Sequence, residues 1–217
     1  MSTTDRTKWI RRALWLAALT MAFNLLEGLV SLWFGWEDRS LALCGFGLDS
    51  LVEVASAALI FWRFWREVDE ASRPAPDRER LATRGIGLML LILAGSTALG
   101  AGVQLTRHQH PMSTLAGVIV SSVSLLVMFA FWRSKLMVAA ALDSRAMKSD
   151  AACSLACMQL SSVVLIGGLL FQLSRRLWWV DGVTALMISG LIAWEGWAGF
   201  RASLKPDFSG GCGCGHD

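Results

Sequence analysis

Asp49 and Glu53 lie four residues apart in the apolar stretch Leu41–Trp62. Four residues is about one helical turn, so the two carboxylates share a helix face, ~5–6 Å apart. Two like charges in a low dielectric cannot both stay ionised unaided, so a proton or a cation has to compensate them. That competition is the physical basis of cation–proton exchange. Carboxylates in hydrocarbon are costly and mark ion or proton pathways. The plain alternative is a protonated pair that only ties helices together.

Asp150 opens another long apolar run. At 100° per residue, positions 146, 150, 153 and 157 fall within a narrow arc of one helix, and they are Ala146, Asp150, Cys153 and Cys157. Asp150 can complete a three-carboxylate cage, or it can be an aspartate at an interfacial helix end. Cys153 and Cys157 are candidate soft ligands on the same face, although a buried free cysteine commonly packs as a small hydrophobe. The first apolar stretch places Asn24, Glu27 and Ser31 on one face. Glu27 can be a further ligand, a proton relay, a gate, or one side of an interhelical hydrogen bond. Near the end of the sequence, Cys212, Cys214 and His216 alternate with glycine. Thiolates and imidazole at that spacing suit zinc, cadmium or copper(I). In the cytoplasm these thiols stay reduced, and a tail without function is the alternative.

The elements that carry these residues are membrane helices. The chain has 217 residues, of which 17% are charged, against ~25% in a soluble domain. A span needs ~20 mostly apolar residues. Six stretches qualify: Ile10–Phe34, Leu41–Trp62, Leu81–Leu105, Met112–Trp132, Asp150–Leu173 and Leu177–Gly199. They lack period-2 alternation, which favours helices over a barrel. The segment Arg133–Ser149 has no Gly or Pro, so the fourth and fifth helices are expected to extend through it.

Sixteen of the 20 Lys and Arg fall in the N-terminus, the second and fourth loops and the C-terminus. The positive-inside rule then puts both termini in the cytoplasm. Trp9, Trp62, Trp65 and Trp132 mark inner span ends, and Trp33, Trp36, Trp178 and Trp179 outer ones. Arg66–Arg80, with Pro74 and Pro76, reads as a solvated linker. The expected organisation is an all-α membrane protein: six transmembrane helices over residues 1–203, then a short flexible cytoplasmic tail over 204–217. Small residues recur every fourth position at Ala94, Ala98 and Gly102, and at Ala185, Ser189 and Ala193. Such stripes let backbones approach closely, which predicts that the third and sixth helices pack as a pair. The carboxylate helices are the middle member of each half, a hint of pseudo-symmetry around a midplane site.

There is no Gly-rich phosphate loop and no nucleophile elbow, so an enzyme is not expected. His108 and His110 fall in a short outer loop next to Pro111. No soluble basic surface suggests nucleic acid.

The pattern resembles the cation diffusion facilitator family. That family's transmembrane domain has six helices and cytoplasmic termini. Its second helix carries an acidic or His pair four apart, in a context like Gly47-Leu-Asp-Ser-Leu-Val-Glu-Val-Ala-Ser56. Its fifth carries a His- or Asp-x-x-x-Asp after a polar segment, like Ala146-Met-Lys-Ser-Asp-Ala151. The likeness runs from Trp9 to Ala202. It implies that Asp49, Glu53 and Asp150 ligate a transported metal and that export is coupled to proton entry. Two departures stand out. Ala146 occupies a usual ligand position, so Asn24, Glu27, Cys153 or a water would have to replace it. The family's C-terminal cytoplasmic domain is not found, and Cys212, Cys214 and His216 would do part of its metal-capturing work.

The expectation is a proton-coupled exporter of a divalent transition metal in a bacterial inner (plasma) membrane. Zinc is the expected cargo, with cadmium as co-substrate, and no resident cofactor is expected. Protons and the lipid bilayer are its other partners, and a homodimer would have to form through membrane helices. The rivals are a carrier of iron, manganese or another cation, and a metal-responsive membrane protein that transports nothing.

Overall fold

Long runs of Leu, Ala, Ile and Trp broken by short polar segments can satisfy their backbone in hydrocarbon only as helices or closed barrels. The computed structural model describes residues 3–37, 41–65, 67, 76–107, 115–173 and 178–205, and every regular element among them is an α-helix. In chain order these are α1 (Thr3–Glu37), α2 (Leu41–Trp65), α3 (Pro76–Thr106), α4 (Leu115–Leu142), α5 (Arg145–Leu173) and α6 (Trp178–Ser203). Among the described residues, α1, α2, α3, α4 and α6 are long and apolar enough to cross a membrane. α5 is not in that set, and its first turns carry Arg145, Lys148 and Asp150.

Three contacts bring the start of α1 and the residues just after α6 to one end of the bundle, called here the terminal end. Arg6 of α1 pairs with Glu67 beyond α2. Arg63 of α2 pairs with Glu79 of α3. Arg80 donates to the Lys205 carbonyl beyond α6 at 3.2 Å. The junction between α4 and α5 lies at the same end, against Glu79.

Two expectations are corrected here. The helical extension expected through Arg133–Ser149 is present over 133–142 and 145–149, but it is interrupted at Asp143 and Ser144. Asp143 takes φ 48°, the left-handed cap position that glycine usually fills. Its N–H bonds the Ala140 carbonyl, and the Ser144 N–H bonds the Ala139 carbonyl, which closes α4. The Ser144 hydroxyl then accepts the Met147 N–H and caps α5. The solvated linker expected over Arg66–Arg80 is also shorter than read. α3 begins at Pro76, a residue suited to a first helical position, and its first turn carries Asp77 and Glu79. Glu67 and Glu79 are buried because Arg63 lies between them.

α1 packs along α2, α3 along α6 and α4 along α5, while α5 also touches α2, α3 and α6. The pairing of α3 with α6 agrees with the small-residue stripes, but the close approach lies nearer the terminal end than Gly102. A methyl on Gly87 would fall 2.7 Å from the Phe200 nitrogen and 2.9 Å from the Gly196 carbonyl oxygen. α1 and α2 approach equally closely at Gly28 and Gly47. A methyl on Gly47 would come 3.0 Å from the Gly28 carbonyl oxygen and 2.8 Å from Leu32 Cγ. That contact sets Glu27 of α1 beside Ser50 of α2.

The apolar core includes Ile10, Ile60, Phe64, Ile86, Leu90, Val138 and Met147. Outward-facing residues are large and apolar: Trp15, Trp33, Leu99, Leu126, Met187 and Trp194 are mostly exposed. A surface of this kind fits lipid and would be a liability in water.

Candidate cation site

A polar seam runs through the interior along four helices. α1 contributes Thr20, Asn24, Glu27 and Ser31; α2 Asp49, Ser50, Glu53 and Ser56; α4 Ser121, Ser124 and Lys135; α5 Asp150, Cys153, Ser154, Cys157 and Ser161. All are buried. On α1 the spacings are three and four; on α2 and α5 they are one, three and four, and on α4 three and eleven, all of which keep the residues on one inward-facing side of their helix.

At its terminal side the seam centres on Lys135, which is fully buried. Its Nζ lies 2.9 Å from Asp150 Oδ2 and 3.2 Å from Glu53 Oε1. It also donates to Ser154 Oγ at 2.7 Å. Ser154 donates in turn to Glu53 Oε1. Ser56 donates to Asp150 Oδ1 at 2.6 Å. One ammonium therefore joins the carboxylates of α2 and α5, with a hydroxyl supporting each. Buried charges persist when they are paired and hydrogen-bonded in this way.

Further along the seam stand Asp49, Glu27 and Asn24. Asp49 is hydrogen-bonded by the Cys157 thiol. Glu27 accepts the Ser50 hydroxyl at 3.1 Å and is bonded by Ser124 as well. Asn24 donates to the Thr20 carbonyl at 3.0 Å. Three strong acceptors are left over: Asp49 Oδ2, Glu53 Oε2 and Asn24 Oδ1 are buried without a hydrogen-bond partner among the described residues. A buried carboxylate oxygen left unmatched is costly, and a proton or a cation removes that cost.

The sequence-derived residues are thus partly brought together. Glu53 and Asp150 meet across Lys135. Asp49, one turn away on α2, faces Cys157 instead. Glu27 makes interhelical hydrogen bonds, one of the roles open to it. Cys153 is a buried free thiol bonded with Ser56, beside the Asp150 cluster. Ala146 is buried in the apolar core and offers its backbone N–H to Glu79, so no side-chain ligand is possible there. Among the described residues, no three His, Cys, Asp or Glu groups stand ready to hold a metal ion as they are placed. Cys212, Cys214 and His216 lie outside the described residues, as do His108 and His110.

Lys135 was missed because a basic residue near the end of a span reads as a loop charge, and it was counted as one. The signal lay in its spacing. Ser121, Ser124, Met128 and Lys135 repeat at helical intervals, which puts the lysine on an inward stripe.

A second charged group closes the terminal end. Arg6 bonds Glu67, Glu67 bonds Arg63 at 3.0 Å, and Arg63 bonds Glu79. Glu79 Oε1 accepts the Ser144 hydroxyl and the Ala146 N–H at the start of α5. This chain of contacts links α1, α2, α3 and α5 at the terminal end of the bundle.

Residues 17–205 match the family model for the cation efflux transmembrane domain. Transmembrane protein 163 of Xenopus laevis is 24% identical over 190 residues. The alignment covers 84% of this chain and 63% of that protein, so the chain spans less than two thirds of its relative's length. A vertebrate relative gives no support to the expected bacterial membrane.

Proposed function

This chain belongs to the cation diffusion facilitator family of cation efflux proteins, and on that premise we propose that it exports divalent zinc in exchange for protons. Membership makes it an integral membrane protein that transports metal cations. The finer reading rests on one observation: Asp49 Oδ2, Glu53 Oε2 and Asn24 Oδ1 are buried acceptors with no partner among the described residues, deep in a bundle whose outer face suits lipid.

In this reading Asp49, Glu53 and Asp150 bind the ion, with Asn24 and Glu27 beside them. The metal enters from the terminal end, which faces the cytoplasm by the positive-inside rule. It displaces a proton from the carboxylate cluster, the helices rock, and protons on the far side release it. Carboxylates alone favour hard ions such as manganese. The thiols of Cys157 and Cys153 along the seam, and Cys212, Cys214 and His216 later in the sequence, shift the preference to zinc, with cadmium as co-substrate.

The test is flux into proteoliposomes holding the purified protein, with zinc, cadmium, manganese and iron(II) compared under imposed pH gradients. Zinc should move fastest and cadmium next. Transport should speed up when the receiving side is acidic and slow when the loading side is. Faster manganese than zinc would refute the cargo, and flux indifferent to the gradient would refute exchange.

A further inference from the structure

Lys135 fills the space between the Glu53 and Asp150 carboxylates. Its ammonium carries three hydrogens and has three acceptors around it: Asp150 Oδ2 at 2.9 Å, Glu53 Oε1 at 3.2 Å and Ser154 Oγ at 2.7 Å. Two of these belong to carboxylates on different helices, so the ammonium bridges α2 and α5 as a bound ion would. The side chain has no solvent exposure. On the site reading above, we propose that Lys135 is a built-in counter-ion: it holds the transport site when no metal is bound, and the metal has to displace it.

Charge and space both lead there. Four carboxylates line the seam, from Glu27, Asp49, Glu53 and Asp150, and Lys135 is the one basic residue among the seam residues. Without it, Glu53 and Asp150 would face each other uncompensated in a low dielectric, which buried charges do not tolerate. A metal ion bound to the same oxygens would lie ~2.0–2.2 Å from each, inside the space the ammonium fills. Two cations cannot share that seat. Lysine suits displacement because its charge rides on a flexible four-carbon stem, which can swing along α4 without moving the helix.

The consequence is a limit on affinity and an aid to release. Cargo binds only as tightly as its advantage over the tethered ammonium allows. When the ion leaves, the ammonium returns and restores the pairing. The same device discriminates by charge, because a monovalent ion gains nothing over the ammonium it displaces.

The experiment compares zinc binding and zinc flux for the wild-type chain, Lys135→Met and Lys135→Arg, all purified in detergent and then reconstituted. A charge-assisted hydrogen bond that a competitor makes is worth about tenfold to a hundredfold in affinity. Lys135→Met should bind zinc tighter by that factor yet release it more slowly, so that its maximal flux falls. Lys135→Arg keeps the charge and should bind no tighter than wild type. If Lys135→Met is unstable without metal, zinc present during purification should restore a folded protein, since the ion replaces the lost charge.

Equal or weaker zinc binding by Lys135→Met overturns the proposal. So does a Lys135→Met protein that zinc cannot restore while Lys135→Arg folds. In either case, zinc binding by the wild-type chain leaves the transport reading standing. If the wild-type chain binds no zinc, both readings fall.

Discussion

Glu79 Oε1 accepts the Ser144 hydroxyl at 2.7 Å, and the same oxygen accepts the N–H of Ala146 at 2.8 Å. A glutamate from the first turn of α3 thus sits at the N-terminus of α5, where unpaired N–H groups and the helix dipole favour an anion. Its other oxygen is bonded by Arg63 of α2.

Removing that carboxylate strands the buried Arg63 and opens the start of α5. Losing one partner of a buried ion pair costs about 3–5 kcal/mol. Glu79→Ala is therefore expected to lower stability by about 3 kcal/mol or more, read as a fall in the melting temperature of the detergent-purified protein. Glu79→Gln keeps an acceptor for Ser144 and Ala146 and should lose less. An unchanged melting temperature for Glu79→Ala would show that the network contributes nothing to stability.

Gly47 and Gly45 form a matched pair two residues apart on α2. A methyl at Gly47 would meet the Gly28 carbonyl and Leu32, whereas one at Gly45 meets nothing within 4 Å. Gly47→Ala should force α1 away from α2, at a cost of about 1–3 kcal/mol. It should also disturb the Ser50–Glu27 contact beside it. Gly45→Ala should be within about 0.5 kcal/mol of wild type or slightly better, as helical alanine replaces glycine. Parallel thermal melts and flux assays of the two variants decide this.

The junction between α4 and α5 gives a test that leaves the site untouched. Asp143 adopts φ 48°, where a side chain strains the backbone and glycine does not. Asp143→Gly should be more stable than Asp143→Ala by about 1 kcal/mol, since both lose the aspartate side chain and only alanine keeps the strain. Equal melting temperatures would argue against the left-handed cap.

The parts of the fold that were legible in the sequence are those set by periodicity. Asp49 and Glu53 announce themselves because they are charged, four apart and embedded in apolar residues. Asp150 and Cys157 fall on one arc of α5, and that arc does face the interior. The pairing of α3 with α6 was signalled by small residues at every fourth position, though not the place where the two helices come closest. What sequence could not give is which partner each group meets across helices. The spacing on α2 does not reveal that Glu53 turns to α4 and α5 while its neighbour one turn away finds Cys157. Lys135 looks like any basic residue near a span end, where a long side chain can reach water. Only packing shows that this one reaches inward. Glu67 and Glu79 flank a segment whose prolines and charges read as solvated, and Arg63 is what buries them. Glycines likewise looked alike, yet the crossing of α3 and α6 falls at Gly87 and Gly196, while Gly102 and Gly190 have nothing within 4 Å.

In the proposed reading, the cysteine–histidine segment at Cys212, Cys214 and His216 captures cargo. A tethered ligand near an entrance raises the local metal concentration. Deleting Ser209–Asp217 should leave the maximal zinc flux intact and raise the zinc concentration needed for half of it. An unchanged half-saturating concentration would make the segment a bystander.

The central claim is that metal passes through a site that includes Asp49. Asp49→Asn keeps the size of the side chain and can retain the hydrogen bond with Cys157, but it removes the charge. The decisive measurement is zinc flux into proteoliposomes made with equal amounts of folded wild-type and Asp49→Asn protein, with matching melting temperatures as the control for folding. The account predicts that the variant's flux drops to that of protein-free vesicles. Wild-type flux from Asp49→Asn would contradict it and remove Asp49 from the pathway.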